Sequence, residues 1–284
     1  THNSMLLYLY AFSLTMEASQ MGLIEYEYGL ETALFEGVKR GIKIATREEM
    51  PTDFYEVTRD LLIMQWLAEH IGGREYIQCI HLGRTAKEKQ EIEMMGLEEM
   101  GHGRILKDGP LAVLGEDPYQ YLYCGANFYD SVKRQPKLLR VFKYPEILSS
   151  SYVYFRVFNG LQDASADLQL KWVKEGPFAP YTEAIERIER EEEGHVESGC
   201  RCLREICATA SGRREAQNAL NFWLPLVLEV FGSPDAKKSK KLSAYHHWGY
   251  KPKEVSNDRA RRIYTALVRP FFREIGLRWP TPRK

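Results

Sequence analysis

Glu99-Met100-Gly101-His102 and Glu192-Glu193-Gly194-His195 are two copies of one pattern, Glu-x-Gly-His. An acidic residue precedes each copy at nearly the same distance: Glu69 lies 30 residues before the first glutamate and Asp163 lies 29 residues before the second. Residues three apart share one face of a helix, so each glutamate and its histidine point to one place. The upstream acids then belong to the preceding helices of two helical hairpins. The sequence therefore predicts two matching half-sites.

Four carboxylates and two imidazoles in this arrangement form the ligand set of a dinuclear iron or manganese site in a ferritin-like four-helix bundle. Iron accepts mixed carboxylate and imidazole ligands, whereas a structural zinc site favours thiolates. The predicted fold is all-α, with a long crossover and a helical C-terminal extension. The predicted cofactor is two iron ions, with manganese left open. The predicted ligands are Glu69, Glu99, His102, Asp163, Glu192 and His195.

The duplication is what separates this pattern from chance, since a single glutamate three residues before a histidine arises often. Gly101 and Gly194 also support a functional interpretation of the motif. Glycine inside a helix lowers helix stability by about 1 kcal/mol relative to alanine, so its presence needs a reason. We expect close packing or ligand access to require them. Glu98 and Glu193 adjoin the ligands, where they either orient the imidazoles or face solvent.

Composition narrows the function classes. The chain has 284 residues, 44% of them hydrophobic, and equal numbers of basic and acidic residues, 39 each. This balance argues against a nucleic-acid binder, and the apolar fraction supports a sizeable core. The five cysteines lack the spacing of a disulfide framework, which favours a reduced, cytoplasmic protein. No apolar stretch reaches the roughly 18 residues that a membrane span requires.

Hydrophobic periodicity predicts the order of the helices. An N-terminal helical extension covers residues 1–55, the bundle 56–232, and a C-terminal extension that packs on it 233–284. The second bundle helix is expected to end at Gly109-Pro110. A long connection over residues 109–144 then serves as the crossover that makes the second and third helices parallel. The bundle helices are predicted at about 60–81, 87–107, 146–173 and 180–209, and later ones at about 213–231 and 258–275.

Several segments resemble the catalytic subunit family of ring-1,2-phenylacetyl-CoA epoxidase over roughly residues 56–280. They are residues 97–103, 192–195, 219–225, 231–235 and 254–258. The resemblance carries over all six ligands and implies an O2-dependent di-iron monooxygenase, an epoxidase or hydroxylase, acting on an aromatic acyl-CoA such as phenylacetyl-CoA. It also implies electrons from a separate reductase, a companion ferritin-like subunit without ligands, and a hetero- or homo-oligomer. Residues 70–75, the N-terminal part and the Tyr-rich crossover depart from the family pattern, which leaves the acyl group open.

The sequence positions of residues relative to the predicted ligands indicate which of them contact the substrate. Trp66, Met95 and Phe155 are apolar neighbours one turn from ligands and are the expected pocket walls. A CoA thioester needs cations for its phosphates, and basic residues cluster in the C-terminal part. A solvated or subunit-docking surface explains the same cluster equally well. The predicted cationic contacts are Lys237, Lys238, Lys240 and Arg262.

Three other classes share these features. A ferroxidase or metal-storage protein uses similar ligands without an organic substrate. A structural companion subunit has the same fold but should have lost its ligands. A di-iron N-oxygenase or desaturase acting on another substrate stays open, because ligands alone do not select the reaction.

Overall fold

Helices form most of the chain that the computed structural model describes, which comprises residues 36–39, 41–123, 137–233 and 240–280. Within these ranges no strand occurs, and Ile44 and Phe178 form an isolated bridge. The predicted all-α, ferritin-like fold is confirmed. The bundle consists of α1 Thr52–Gln78, α2 Ala86–Leu106, α3 Tyr152–Val173 and α4 Ala179–Cys207. It is followed by α5 Ala210–Glu229, α6 Lys240–His247 and α7 Asn257–Glu274.

Hydroxyl side chains fix where several helices begin. Thr85 accepts a hydrogen bond from the Glu88 amide at 3.1 Å before α2, and Thr209 accepts one from the Gly212 amide before α5. Ser151 does the same for α3. Such caps satisfy amides that have no partner within the helix. The third helix therefore begins later than predicted, because Pro145–Leu148 forms a separate short helix before the cap.

The prediction that the second helix ends at Gly109-Pro110 is wrong. The chain passes from α2 into a π-helical turn, Lys107–Leu111, and stays helical to Leu114. A wider turn accommodates Pro110, which lacks an amide hydrogen and would crowd a regular turn. The helical path ends at Gly115, whose φ of 72° is the left-handed conformation that glycine adopts readily.

The C-terminal helices pack on the bundle through buried aromatic side chains. From α5, Trp223 Nε1 donates to the Tyr154 carbonyl on α3 at 3.1 Å. From α7, the Tyr264 hydroxyl donates to the Leu161 carbonyl on α3 at 2.7 Å. These bonds hold α5 and α7 against the helix that carries Asp163. The division of the chain at residues 55 and 232 stays a prediction, and residues 1–35 lie outside the described ranges.

The closest approach of α1 and α2 occurs at two glycines. A Cβ on Gly73 would lie 2.7 Å from the Gly96 carbonyl oxygen and 2.8 Å from Met100 Cγ. We therefore expect Gly73→Ala to destabilise the protein by about 3 kcal/mol, because two backbones would have to separate. Urea denaturation of the variant and the parent measures the difference.

Gly101→Ala is the matched control on α2. A Cβ at Gly101 or at Gly194 would meet no heavy atom within 4 Å of the described structure, so the predicted close packing at these glycines is wrong. The control should gain up to about 1 kcal/mol from helix propensity alone. Equal losses in both variants would contradict the assignment of the helix contact to Gly73.

Candidate metal centre

Each helix of the bundle contributes at least one predicted ligand to its interior. Glu69 stands on α1, Asp163 on α3, and α2 and α4 carry one glutamate–histidine pair each. None of the six residues is more than 8% exposed, and His102 is fully buried. Burial of four carboxylates is costly unless cations or donors compensate them. The exposed fractions are Glu69 6%, Glu99 8%, His102 0%, Asp163 3%, Glu192 2% and His195 3%.

Four of the six residues form a tight group. One ligand atom from each of Glu69, Glu99, His102 and Glu192 lies within 4.8 Å of all the others. His102 Nδ1 is 3.5 Å from Glu69 Oε2 and 3.3 Å from Glu192 Oε1. These separations are what ligands of a shared cation adopt.

His195 joins this group from α4. Its Nδ1 lies 3.2 Å from Glu99 Oε1 and 3.8 Å from Glu192 Oε2. The two oxygens of Glu192 thus face different histidines, since Oε1 approaches His102. A carboxylate placed between two imidazoles in this way has the arrangement of a bridge between two ions.

Asp163 is held by two hydrogen bonds rather than by the tight group. The Tyr76 hydroxyl donates to its Oδ1 at 2.8 Å, and the Asn159 amide donates to its Oδ2. Arg156 Nη1 in turn donates to the side-chain oxygen of Asn159, Oδ1, at 3.4 Å. The structure therefore orients this carboxylate from α1 and α3 at the edge of the cluster.

The outer nitrogens of both histidines contact acids of the opposite motif. His195 Nε2 lies 2.8 Å from Glu98 on α2, and His102 Nε2 lies 3.0 Å from Glu191 on α4. This pairing leaves both Nδ1 atoms facing the cluster. The prediction named Glu98 but missed Glu191, although the repeated Glu-Glu pair at 98–99 and 191–192 carried the signal. The side chain of Glu193 lies outside the described structure.

The buried carboxylates of the cluster repel one another in the metal-free protein, and their pKa values reflect it. Burial, together with the Glu192 and Glu69 carboxylates, raises the pKa of Glu99 well above its usual range. Burial also raises the pKa of Asp163 to about 7. Burial alone would lower the pKa of His102, but the close carboxylates of Glu192 and Glu69 raise it to about 11. In the metal-free protein, protonated imidazoles therefore supply the positive charge beside the carboxylates.

Buried polar atoms without hydrogen-bond partners are a second observation that fits a metal centre. His102 Nδ1, His195 Nδ1 and Glu192 Oε2 are buried and have no hydrogen-bond partner among the described residues. Buried polar atoms without partners are rare in folded proteins, and each needs an explanation. All three point into the cluster, where a cation would satisfy them.

The sequence pattern of the family described as phenylacetic acid catabolic protein matches residues 44–284. The chain belongs to this family. Comparison with curated proteins gives no match. Family membership connects the buried glutamate–histidine group with phenylacetate catabolism, and that group could hold metal ions.

In this member of the phenylacetic acid catabolic protein family, the space beside the cluster is small. A cavity of ≈ 40 Å³ touches Glu69, Glu99, Asp163 and Glu192. A benzene-sized ligand needs about 150 Å³ in a protein interior. The rest of the lining includes Gly72 and Phe142. The cavity is therefore smaller than an aromatic ring requires.

The residues predicted for substrate contacts are spread over the family fold. Trp66, Met95 and Phe155 are buried in the core, but none of them lines the small cavity. Arg262 is exposed on α7 and pairs with Asp258. Lys237 and Lys238 lie outside the described residues, as does the side chain of Lys240. Their roles stay predictions. Within the described ranges, no helix combines the length and apolar character that a membrane crossing requires.

Substitution of Glu98 and Glu191, which contact the Nε2 atoms of the two histidines, tests whether these contacts support metal binding. We expect Glu98→Gln to lower metal affinity by about tenfold or more, because a partner of this kind orients its imidazole and raises its basicity. Glu191→Gln should act in the same direction but less strongly, since its side chain is 50% exposed against 35% for Glu98. Competition titration with a fluorescent chelator measures both affinities.

Glu197→Gln is the control for that pair, because this exposed acid stands on α4 beyond the second motif. Its affinity should match that of the parent protein. Unchanged affinity in both Glu98→Gln and Glu191→Gln would show that the outer contacts do not support the histidines.

Proposed function

We propose that this chain is the catalytic subunit of an O2-dependent di-iron monooxygenase acting on an aromatic acyl-CoA, with phenylacetyl-CoA as the first candidate. The observation that supports the proposal is the complete set of four carboxylates and two imidazoles, supplied by all four bundle helices. A companion subunit that had lost its ligands would not retain this set. Family membership supports the substrate class.

The proposed ligands are Glu69, Glu99, His102, Asp163, Glu192 and His195. When bound, two ferrous ions supply the two-electron activation of O2, with electrons from a separate reductase; one oxygen atom enters the substrate and the other leaves as water. The protein residues hold and orient these groups. Glu192 faces both histidines, and Glu98 and Glu191 keep each Nδ1 directed inward.

The protein also controls access of water and substrate. The candidate ligands are buried, and the cavity of ≈ 40 Å³ beside them has room for only a few water molecules. Exclusion of water strengthens the electrostatic interactions inside a site and limits side reactions. The substrate ring requires the wall at Gly72 and Phe142 to open. We propose that a partner subunit or the CoA thioester itself stabilises the open form.

A single turnover tests the proposal. The iron-loaded protein is reduced chemically, mixed with phenylacetyl-CoA and 18O2, and its thioester products are weighed. A product heavier by one labelled oxygen atom is expected, and Glu192→Ala should yield none. Oxygen consumption with unchanged thioester would contradict phenylacetyl-CoA as the substrate. Iron oxidation without any organic product, even with other acyl-CoA thioesters, would favour a ferroxidase instead.

A further inference from the structure

A second cavity, of ≈ 330 Å³, lies at the end of the bundle where α1 begins and α3 ends. Its size falls within the range of small-molecule sites, which are mostly apolar and carry a few polar groups. The end of α5, helix α6 and the start of α7 complete the wall. The apolar and aromatic side chains that line it include Leu61, Trp172, Val173, Phe231, Tyr245 and Tyr250.

Lys251 is the one charged residue among the described residues that line this cavity. Its Nζ lies 3.1 Å from Asn257 Oδ1 and 5.5 Å from the centre of the Trp172 ring. No carboxylate belongs to the described lining. Burial lowers the pKa of Lys251 to about 8, so the ammonium group is still mainly protonated at neutral pH. A half-buried cation at an apolar cavity is suited to an anion with an apolar body.

The cavity is separate from the metal cluster. Leu61 precedes Glu69 by eight residues, which is about 12 Å along α1. On α3, Gln169 follows Asp163 by six residues, or about 9 Å. No described residue lines both cavities. A molecule in the second cavity is therefore not in contact with the candidate ligands.

Buried polar side chains fill the space between the two. The Tyr181 ring lies 6.2 Å from the ring of Tyr250, which lines the second cavity. The Tyr181 hydroxyl donates to Gln65, and Gln65 Nε2 donates to Glu69 Oε1 at 3.1 Å. These contacts place Tyr181 and Gln65 between Tyr250 and Glu69.

A basic groove of ≈ 390 Å³ adjoins the cavity and shares Trp172 and Lys251 with it. Its described lining holds five lysines and one acid, Glu175, so positive charges predominate. A groove of this kind raises the local concentration of anions near Lys251. Its further lysines are Lys39, Lys43, Lys171 and Lys253.

We propose that this second cavity binds a small apolar carboxylic acid. The apolar body of the acid lies against Trp172, Phe231 and Tyr250, and its carboxylate contacts the Lys251 ammonium group. The inference does not depend on the metal site. It gives the chain a ligand site that differs in chemistry from a site for a thioester, because a thioester has no free carboxylate.

Isothermal titration of metal-free protein with phenylacetate tests the proposal and removes the metal cluster from the measurement. We expect a Kd below about 1 mM, and binding about tenfold or more weaker for the neutral isostere phenylacetamide. 2-Phenylethylamine, the cationic isostere, should not bind. Because this series changes only the ligand, it does not depend on any variant folding.

Lys251→Met is the matching protein variant, since methionine keeps part of the apolar stem and removes the charge. We expect it to weaken phenylacetate binding by about tenfold or more. Lys253→Met, two residues away on the rim of the basic groove, should bind within about twofold of the parent protein. Quenching of tryptophan fluorescence, lost in Trp172→Phe, reports whether the ligand occupies this cavity.

Three results would overturn the proposal. The first is absence of phenylacetate binding at millimolar concentration. The second is equal binding of phenylacetate by Lys251→Met and the parent protein. The third is displacement of phenylacetate by CoA alone, which would make the cavity and the groove a single thioester subsite.

Discussion

Replacing Glu192 with alanine should reduce the metal content from about two ions per chain to less than about one half. The effect is large because, among the described side chains, Glu192 is the one carboxylate whose two oxygens face the two histidines, at 3.3 and 3.8 Å. Its loss removes a ligand from both half-sites at once. Glu99→Ala and Asp163→Ala should also lower bound metal sharply, each chiefly at one half-site.

Folding of the Glu192→Ala variant is expected to survive, because the change removes one of several buried carboxylates that repel each other in the metal-free protein. Anaerobic loading with Fe(II), gel filtration and elemental analysis measure the ions bound per chain. Glu197→Ala, exposed on the same helix, is the control and should bind as much metal as the parent. A Glu192→Ala variant with a full metal complement would refute the bridging geometry.

The clustering of these acidic and histidine side chains was predictable because it depends on spacing along the helices. Two residues three apart on a helix must share a face, and the repeat at Glu99 and Glu192 fixes which faces meet. The buried cluster of Glu69, Glu99, His102 and Glu192 is consistent with that logic. Spacing along the sequence does not predict which acid contacts the Nε2 atom of each histidine. Glu191 reaches His102 only because α2 and α4 face each other across the bundle.

The errors in the sequence interpretation have a common physical origin. A glycine in a helix suggests close packing, yet Gly101 and Gly194 have open space, while Gly73 and Gly96 form the actual helix contact. Glycine identity does not reveal which face of a helix meets a neighbour. Likewise, Gly109-Pro110 signals a helix end in isolation, but a π-helical turn lets the helical path continue. Tertiary packing decided both outcomes.

The metal-free protein should lose stability as the pH rises from about 4 to about 7. The pKa of Asp163 in the fold is about 7, against an ordinary value of 3.8. The folded state therefore binds a proton that the unfolded state releases. This contribution to stability is complete below the unfolded pKa and is lost as the pH rises through the folded pKa. For Asp163 alone it amounts to about 4 kcal/mol.

Neighbouring groups modify this dependence in known directions. The pKa of Glu99 is also raised, by burial and nearby carboxylates, so it acts in the same sense. His195 does so too: burial opposes its protonation, but the Asp163 and Glu192 charges raise its pKa. Glu69 acts in the opposite sense, because contacts with His102 outweigh burial and lower its pKa. Divalent metal should reverse the loss, since the cations compensate the ionised carboxylates.

Asp163→Asn isolates the contribution of one carboxyl group. At pH 8 the metal-free variant should be more stable than the metal-free parent by about 3 kcal/mol. The variant gains about 4 kcal/mol because it carries no buried charge at this position. It loses about 1 kcal/mol because the new amide nitrogen cannot accept the hydrogen bond from Asn159. At pH 4 the advantage should disappear, since Asp163 is then protonated in the fold. Urea denaturation in chelator at both pH values measures the two differences.

Asp167→Asn is the control one turn further along α3, where the carboxylate pairs with exposed Lys171 at 2.8 Å. Its effect should stay within about 0.5 kcal/mol and change little with pH. Addition of Mn(II) at pH 8 should stabilise the parent and this control, but Asp163→Asn less, because one of its two half-sites is weakened. If Asp163→Asn instead lowered metal-free stability at pH 8, the buried carboxylate would be stabilising, and the repulsion assigned to it would be wrong.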